Sequence, residues 1–131
     1  MTAPPENDPL EAVHQTRLFH TAQLHEHLLP ELRDFYAVPN GGHRAKTTAR
    51  AMKLQGQKPG IPDCSLDVPM RCADGRSYAG LKLELKRFRE GDVEDEQDER
   101  LTRLAKSGYR AIVCWGWVAA WEEVLWSALA F

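Results

Sequence analysis

Two segments in which apolar residues occupy every second position constrain this chain most, because this period is typical of a β-strand with one buried face. They flank Asp74-Gly75, a dipeptide that strongly favours a hairpin turn. The apolar positions are Cys64, Leu66, Val68 and Met70 before the turn and Leu81, Leu83 and Leu85 after it. The sequence therefore predicts an antiparallel hairpin with one apolar face and one polar face.

The polar face of this predicted hairpin carries ionisable residues. With the turn centred on Asp74-Gly75, Asp63 lies opposite Lys86, and Asp63 and Glu84 are diagonal neighbours. Diagonal pairs are about 7 Å apart at Cβ, close enough for two carboxylates to share a metal ion. In a helix, Glu84 and Lys86 would instead point about 200° apart. An ordinary cross-strand ion pair between Asp63 and Lys86 is the alternative interpretation.

The rest of the chain adds helices around this hairpin. Its 131 residues suffice for one domain with one core, and 43% hydrophobic residues are typical of a globular protein. Residues 1–8 are predicted to form a disordered tail and residues 9–131 a single domain. The patterns predict helices over 9–29, 45–55, 93–107 and 118–130, and further strands over 34–39 and 110–115. This order indicates an α/β fold with a small mixed β-sheet flanked by helices.

The first predicted helix has a polar start that permits two interpretations. Asp8 is a good N-cap, Pro9 suits the first helical position, and Glu11 stands where a capping-box acid binds the cap amide. Gln15 lies one turn later on the same stripe as Glu11, and this stripe becomes apolar at Leu18. Glu11 and Gln15 therefore serve either the helix cap and the core or a polar site.

The net charge of -2 conceals two oppositely charged segments. Residues 40–60 contain five basic residues and no acid: Arg44, Lys46, Arg50, Lys53 and Lys58. His43 lies in the same segment, where it could contact phosphate. Residues 89–100 contain seven acids, which a solvated helix start stabilised by the helix dipole would explain. A local basic patch can bind polyanions although the total charge is slightly negative.

Several other protein classes are excluded by the cysteines and by the hydropathy pattern. Cys64, Cys72 and Cys114 form no CxxC pair, so neither a disulfide framework nor a zinc knuckle is predicted. The N-terminal residues lack the basic and apolar regions of a secretory signal, and no stretch is apolar enough for a transmembrane helix. We expect a cytoplasmic protein without membrane contact.

One ordered set of motifs resembles a known nuclease family. Pro62-Asp63 followed by Glu84-Leu85-Lys86 is similar to the PD-(D/E)xK motif of nucleases. The wider setting consists of Asn40-Gly41-Gly42, the sequence KPGIPD at residues 58–63, Gln97 and Gly108-Tyr109. This succession resembles the VRR-NUC family, the virus-type replication-repair nucleases, from Glu11 to the last helix. The resemblance implies a restriction-endonuclease-like core and, as a setting, the cytoplasm of a bacterium or of a phage-infected cell.

The resemblance also implies a metal centre. Asp63, Glu84 and the backbone carbonyl of Leu85 would hold Mg²⁺ or Mn²⁺, and Lys86 would orient or deprotonate the attacking water. These residue types suit the chemistry, because Mg²⁺ prefers a few carboxylates plus waters and a hard cation lowers the pKa of bound water. A lysine close to the reacting phosphate can also offset developing negative charge.

Three further residues would join this site if the resemblance holds. Gln97 would support the metal or the lysine, although a residue left by chance in the first turn of a helix is the alternative. Glu11 and Gln15 would reach the site from the first helix, while the helix cap and the core stay open as the alternative for both.

The function that follows from these expectations is a Mg²⁺- or Mn²⁺-dependent DNA endonuclease that hydrolyses phosphodiester bonds, with the basic segment holding phosphates. The resemblance implies branched or structured DNA such as four-way junctions, and a homodimer would supply two sites. Four tryptophans could form its interface, although the core is a simpler destination: Trp115, Trp117, Trp121 and Trp126. The alternatives are a catalytically silent nucleic-acid-binding module with a nuclease fold and a small protein whose ion pairs are purely structural.

Overall fold

The computed structural model of this chain describes residues 8–39, 46–72 and 75–130. In chain order its elements are α1 (Glu11–His25), a 3₁₀ helix (Pro30–Asp34), β1 (Phe35–Ala37), α2 (Lys46–Leu54), β2 (Cys64–Leu66), β3 (Met70–Arg71), β4 (Ser77–Tyr78), β5 (Leu81–Lys86), α3 (Asp95–Lys106), β6 (Arg110–Trp115) and α4 (Trp117–Leu129). This alternation of helices and strands confirms the predicted α/β class.

The central strand β5 organises the main sheet. Its four strands lie in the order β1-β2-β5-β6, and β5 runs antiparallel to β2 and parallel to β6. The leucines of β5 are fully buried on one face, whereas Glu84 and Lys86 are buried on the other. The sheet is therefore small and mixed, as predicted, and it is covered on both faces at β5. The strand predicted over 110–115 forms the half-buried edge strand β6.

The two predicted strands pair antiparallel, but the predicted register is wrong. A turn centred on Asp74-Gly75 predicts Leu85 as the partner of Cys64, whereas the structure pairs Cys64 with Leu83, two residues earlier. The chain leaves the ladder between β2 and β3, where Pro69 has no N–H to donate. Strands β3 and β4 then form a separate two-stranded sheet, and Asp74 of the predicted turn lies outside the described residues. A register shift of two residues keeps every side chain on its predicted face. The polar face therefore contains the predicted residues, but their cross-strand partners differ from the prediction.

One hydrophobic core lies between the leucine face of β5 and the helices α1 and α4. Residues that are 0% exposed from each element meet there, namely Leu18 of α1, Val124 of α4 and Leu83 of β5. Cys64 and Cys114 are free thiols buried in the same core. Trp117 and Trp121 pack against it, whereas Trp115 and Trp126 are 43% and 45% exposed. Within the described residues, no helix combines the length and apolar character needed to cross a membrane.

The ends of α1 differ from the prediction. The helix covers Glu11–His25 rather than residues 9–29, and its N-cap position is Leu10, which makes no side-chain hydrogen bond. The predicted cap at Asp8 and the capping-box role of Glu11 are therefore wrong. The physical reason is that both carboxylates are used elsewhere, Asp8 in a buried network and Glu11 in a polar cluster.

Asp8 joins four segments of the chain. Its carboxylate accepts hydrogen bonds from the backbone N–H groups of Phe88 and Arg89 and pairs with Arg87. The His14 ring accepts the Trp117 N–H at Nδ1, so its Nε2–H donates to Asp8 at 3.2 Å. Burial opposes ionisation of Asp8, but these hydrogen bonds and the charge of Arg87 outweigh it and lower the pKa to about 2.

The ionised form of Asp8 should stabilise the fold at neutral pH. Its folded-state pKa of about 2 lies below the ordinary value of 3.8, so this contribution is present above that value and is lost as the pH falls toward 2. We expect Asp8→Asn to lower the melting temperature at pH 7, with a gap to wild type that narrows as the pH falls below about 4. Asp92→Asn, at an exposed loop position, is the control. A gap that stays constant with pH would contradict a role for the charge.

Candidate active site

Glu84 and Lys86 are ionisable residues at the centre of the fold. They are only 1% and 7% exposed, because β5 has strands on both sides and helices over both faces. Residues two apart on a strand share a face, so both side chains lie opposite the leucine face. Lys86 Nζ is 3.5 Å from Glu84 Oε1. The two form a buried ion pair.

Asp63 reaches the same face from the residue just before β2. The observed register, continued by one residue, places Asp63 beside Glu84 rather than opposite Lys86. Its Oδ2 accepts a hydrogen bond of 2.8 Å from the backbone N–H of Leu85, and its carbonyl accepts one of 2.7 Å from Val38. Asp63 is thus held by both neighbouring strands.

Residues 58–62 form the connector between α2 and Asp63, and Gly60 sets its path. Its φ is +76°, and a Cβ at this position would lie 2.6 Å from the carbonyl oxygen of Glu96. Only glycine permits this close approach to the first turn of α3. The connector and α3 therefore form one wall, which keeps Asp63 close to the helix that carries Gln97.

Glu11 completes a cluster of three carboxylates. One oxygen each from Glu11, Asp63 and Glu84 lie within 4.8 Å of one another. Gln15, one turn after Glu11, lines the same cleft. The start of α1 therefore faces the site, as its polar stripe permits, while the later part of the helix packs in the core.

Gln97 links the cluster to the start of α3. Its side-chain Nε2 donates to Glu84 Oε1 at 2.9 Å, and its Oε1 accepts the backbone N–H of Glu94 at 3.0 Å. This second bond belongs to a capping box in which Gln97 is the third residue of the helix. Gln97 therefore makes a helix-capping contact and a contact with Glu84 at once, and the cap fixes the amide orientation that serves Glu84.

The electrostatics of this cluster favour a cation. Burial, followed by the charge of Asp63, raises the pKa of Glu84, and Lys86 opposes this rise only in part. Burial and Asp63 also raise the pKa of Glu11. Glu84 Oε2 is a buried oxygen without a hydrogen-bond partner among the described residues. Hard oxygen donors, mutual repulsion and an unsatisfied buried oxygen are what a divalent cation would neutralise, so these residues fit Mg²⁺ or Mn²⁺.

The cluster opens into a cleft of about 540 Å³. Besides the carboxylates, its lining includes Lys58 and two acids at the start of α3, Glu94 and Glu96. A shallower pocket, lined partly by the end of α2 at Met52 and Gln55, adjoins it and shares Lys58 with it. The cleft therefore lies between an acidic helix start and the basic connector.

The predicted phosphate-binding residues are only partly covered by the structure. Arg50 and Lys53 are exposed on α2, and Lys58 lines the cleft. His43 and Arg44 lie outside the described residues. Lys46 begins α2, and its side chain also lies outside what is described.

Sequence reasoning missed the two acids that border the cleft. Glu94 and Glu96 belong to the acidic run that a solvated helix start explains, and both are exposed. The available signal was the spacing of Glu94 and Gln97, which is typical of a capping box and indicates the start of α3. Together with the resemblance, which assigns Gln97 to the site, it would have brought this helix start to the cleft.

A comparison with solved structures places this architecture. A protein described as "VRR_NUC domain protein" superposes with a TM-score of 0.75 at 24% sequence identity, over 95% of this chain and 92% of that one. The chain has the fold of a VRR-NUC domain. No protein-family profile matches the sequence, and no curated protein matches it. Within this fold the carboxylate cluster lies at the polar face of the central strand β5.

Cation binding tests the cluster directly. We expect Mn²⁺ to raise the melting temperature of the wild-type protein, because a ligand at a hundredfold its Kd stabilises the folded state by about 2.7 kcal/mol. Asp63→Asn and Glu84→Gln, which remove charge but little volume, should lose most of this shift. Glu96→Gln neutralises an exposed acid of the same cleft and should keep it. Equal shifts in all four proteins would assign the cation to another place.

Proposed function

We propose that this chain is a metal-dependent endodeoxyribonuclease that hydrolyses phosphodiester bonds in branched or structured DNA such as four-way junctions. The observation that carries the proposal is the cluster of Glu11, Asp63 and Glu84 within 4.8 Å, with Lys86 Nζ 3.5 Å from Glu84. The VRR-NUC fold also supports the proposal. A further support is the order of Asp63, Glu84 and Lys86, which match the motif that resembles this nuclease family.

Asp63, Glu84 and Glu11 would hold the cation. The carbonyl of Leu85 is a further donor, since the N–H and C=O of one strand residue point to the same edge and the Leu85 N–H binds Asp63. When bound there, Mg²⁺ or Mn²⁺ supplies Lewis-acid stabilisation of the phosphoryl oxygen and a more acidic water. Asp63 and Glu84 would keep their carboxylates at fixed positions around the cation, because both residues are held by the sheet.

Lys86 is the proposed general base or water-orienting group. Its Nζ lies 3.5 Å from Glu84 Oε1, next to the carboxylate cluster, so it would stand close to the attacking water. When protonated, it offsets negative charge on the phosphoryl oxygens. Gln97 holds Glu84 Oε1, which leaves Oε2 for the cation, and Gln15 extends the polar wall.

DNA would approach from the side of α2 and the connector. The proposed phosphate contacts are His43, Arg44, Lys46, Arg50, Lys53 and Lys58. This set includes no Asn or Gln pair suited to hydrogen bonds with base edges, so it would hold the DNA backbone without reading the base sequence.

The proposed activity has a direct assay. We expect cleavage of a four-way junction in Mg²⁺ or Mn²⁺, weaker cleavage of flapped and linear duplexes, and none with a chelator. Asp63→Asn and Glu84→Gln should abolish cleavage, whereas Lys86→Ala should bind DNA normally and slow the chemical step by roughly 10². Lys106→Ala, at the exposed end of α3, is the matched control. DNA binding without metal-dependent cleavage in wild type would instead favour a silent binding module.

A homodimer is proposed because resolving a junction requires two cuts and one chain has a single site. We expect light scattering to give about twice the chain mass of 14.9 kDa. The exposed Trp115 and Trp126 are candidates for its interface. A monomer that still nicks flaps would retain the nuclease proposal and remove symmetric junction resolution by a preformed dimer.

A further inference from the structure

The polar face of the sheet continues beyond the carboxylates. Tyr36, Ser65 and Lys82 lie side by side on β1, β2 and β5, as their pairing shows. This row is two residues along the strands from Asp63 and Glu84, which corresponds to about 6.6 Å at 3.3 Å per residue. Successive phosphates of a nucleic-acid strand have a similar spacing.

Lys82 supplies a positive charge at the β5 end of this row. Its Nζ donates to Ser65 Oγ at 2.8 Å, lies 3.7 Å from Asp67 Oδ1 and is 4.9 Å from the centre of the Tyr109 ring. The side chain is 21% exposed, so solvent reaches the ammonium group. An ammonium group has three N–H donors, and the bond to Ser65 engages one of them.

Tyr36 presents an oriented aromatic ring beside this cation. It is 43% exposed, and its hydroxyl donates to Asp67 Oδ2 at 2.7 Å, which fixes the ring on the sheet. The Lys82 ammonium group also lies over the Tyr109 ring. A basic group close to oriented rings can hold a phosphate while an exposed ring stacks on a base.

Stability alone does not explain this arrangement. The Asp67 side chain of the Lys82–Asp67 ion pair is 50% exposed, and exposed ion pairs contribute little to the free energy of folding. Ser65 is buried, but its hydroxyl already donates to Asp67 Oδ1 at 2.7 Å. The hydroxyl groups of Tyr36 and Ser65 therefore have an acceptor in Asp67, and neither needs the charge of Lys82 for its own hydrogen bond.

We propose that Lys82, Tyr36 and Tyr109 form a subsite for the nucleotide next to the bond that is cut. Lys82 contacts its phosphate, and Tyr36 stacks on its base where the strand is unpaired. This inference rests on the proposed function, since the strand that passes the carboxylates must continue along the sheet face. It assigns Lys82 to substrate positioning, separate from the metal cluster.

Equilibrium DNA binding without divalent cation tests the subsite apart from catalysis. Fluorescence anisotropy with a junction carrying unpaired arms gives the slope of log K against log salt. We expect Lys82→Met to flatten this slope by about 1 and to weaken binding severalfold. Lys106→Met, the same change at the exposed end of α3, should leave the slope unchanged. The affinity for Mn²⁺ should stay at the wild-type value in both variants.

Asp67→Asn provides a test of opposite sign. It keeps a carbonyl acceptor for one of the two hydroxyls of Tyr36 and Ser65, and the other hydroxyl can accept from the amide NH2. It removes the negative charge beside Lys82, so DNA should bind more tightly. A purely structural network would change the melting temperature in both variants and leave the salt slopes equal. That outcome, or absence of DNA binding by the wild-type protein, would overturn the subsite.

The outcomes for the subsite and for the proposed function are separable. A flattened slope in Lys82→Met together with no cleavage by wild type would retain the phosphate contact of Lys82 and reject the nuclease, and with it the placement of this contact next to a cut bond. Metal-dependent cleavage by wild type together with unchanged slopes would do the reverse. Should Lys82→Met fail to fold, Lys82→Gln and Asp67→Asn give the same comparison with less change in polarity.

Discussion

The buried carboxylate of Glu84 is the group on which the rest of this structure depends. It lies on the central strand with 1% exposure, where an ionised group without compensation is very unfavourable. Lys86 and Gln97 compensate one oxygen, while the other has no hydrogen-bond partner among the described residues. Asp63 and Glu11 add repulsion instead of relief. Such a cluster fits a divalent cation, since a further positive charge would make all three carboxylates favourable at once.

The sequence predicts the faces of the site better than its pairings. Strict alternation places Glu84 and Lys86 on one face and the leucines on the other, because the side-chain period of a strand is independent of its partner. The register depends on where the ladder breaks, and this is decided by the chain around Pro69 and by the separate β3–β4 sheet. A shift of two residues therefore left the composition of the polar face right and the partner of Asp63 wrong.

Long-range contacts account for the other differences. Local spacing favours Asp8 as a helix cap, but its partners lie 79 to 81 residues away in sequence, at Arg87, Phe88 and Arg89. No local pattern contains that information. The row of Tyr36, Ser65 and Lys82 is likewise assembled by long-range contacts, namely the pairing of β1 with β2 and of β2 with β5 and the approach of Tyr109, which precedes β6. Gln97 is different, since its helix position and its motif order both indicate the contact with Glu84.

The charge distribution of the cleft also bears on the order of binding. Five acids line it, namely Glu11, Asp63, Glu84, Glu94 and Glu96, and Lys58 is the cation among its lining residues. A DNA phosphate entering this cleft would meet a net negative field at short range, where salt screens buried charges little. Under the proposed function, binding of the metal must therefore precede or accompany entry of the scissile phosphate. The basic residues of α2 and the connector, and Lys82 on the sheet, would hold the flanking phosphates from outside the acidic cleft, so affinity for DNA and activation by metal are assigned to different side chains.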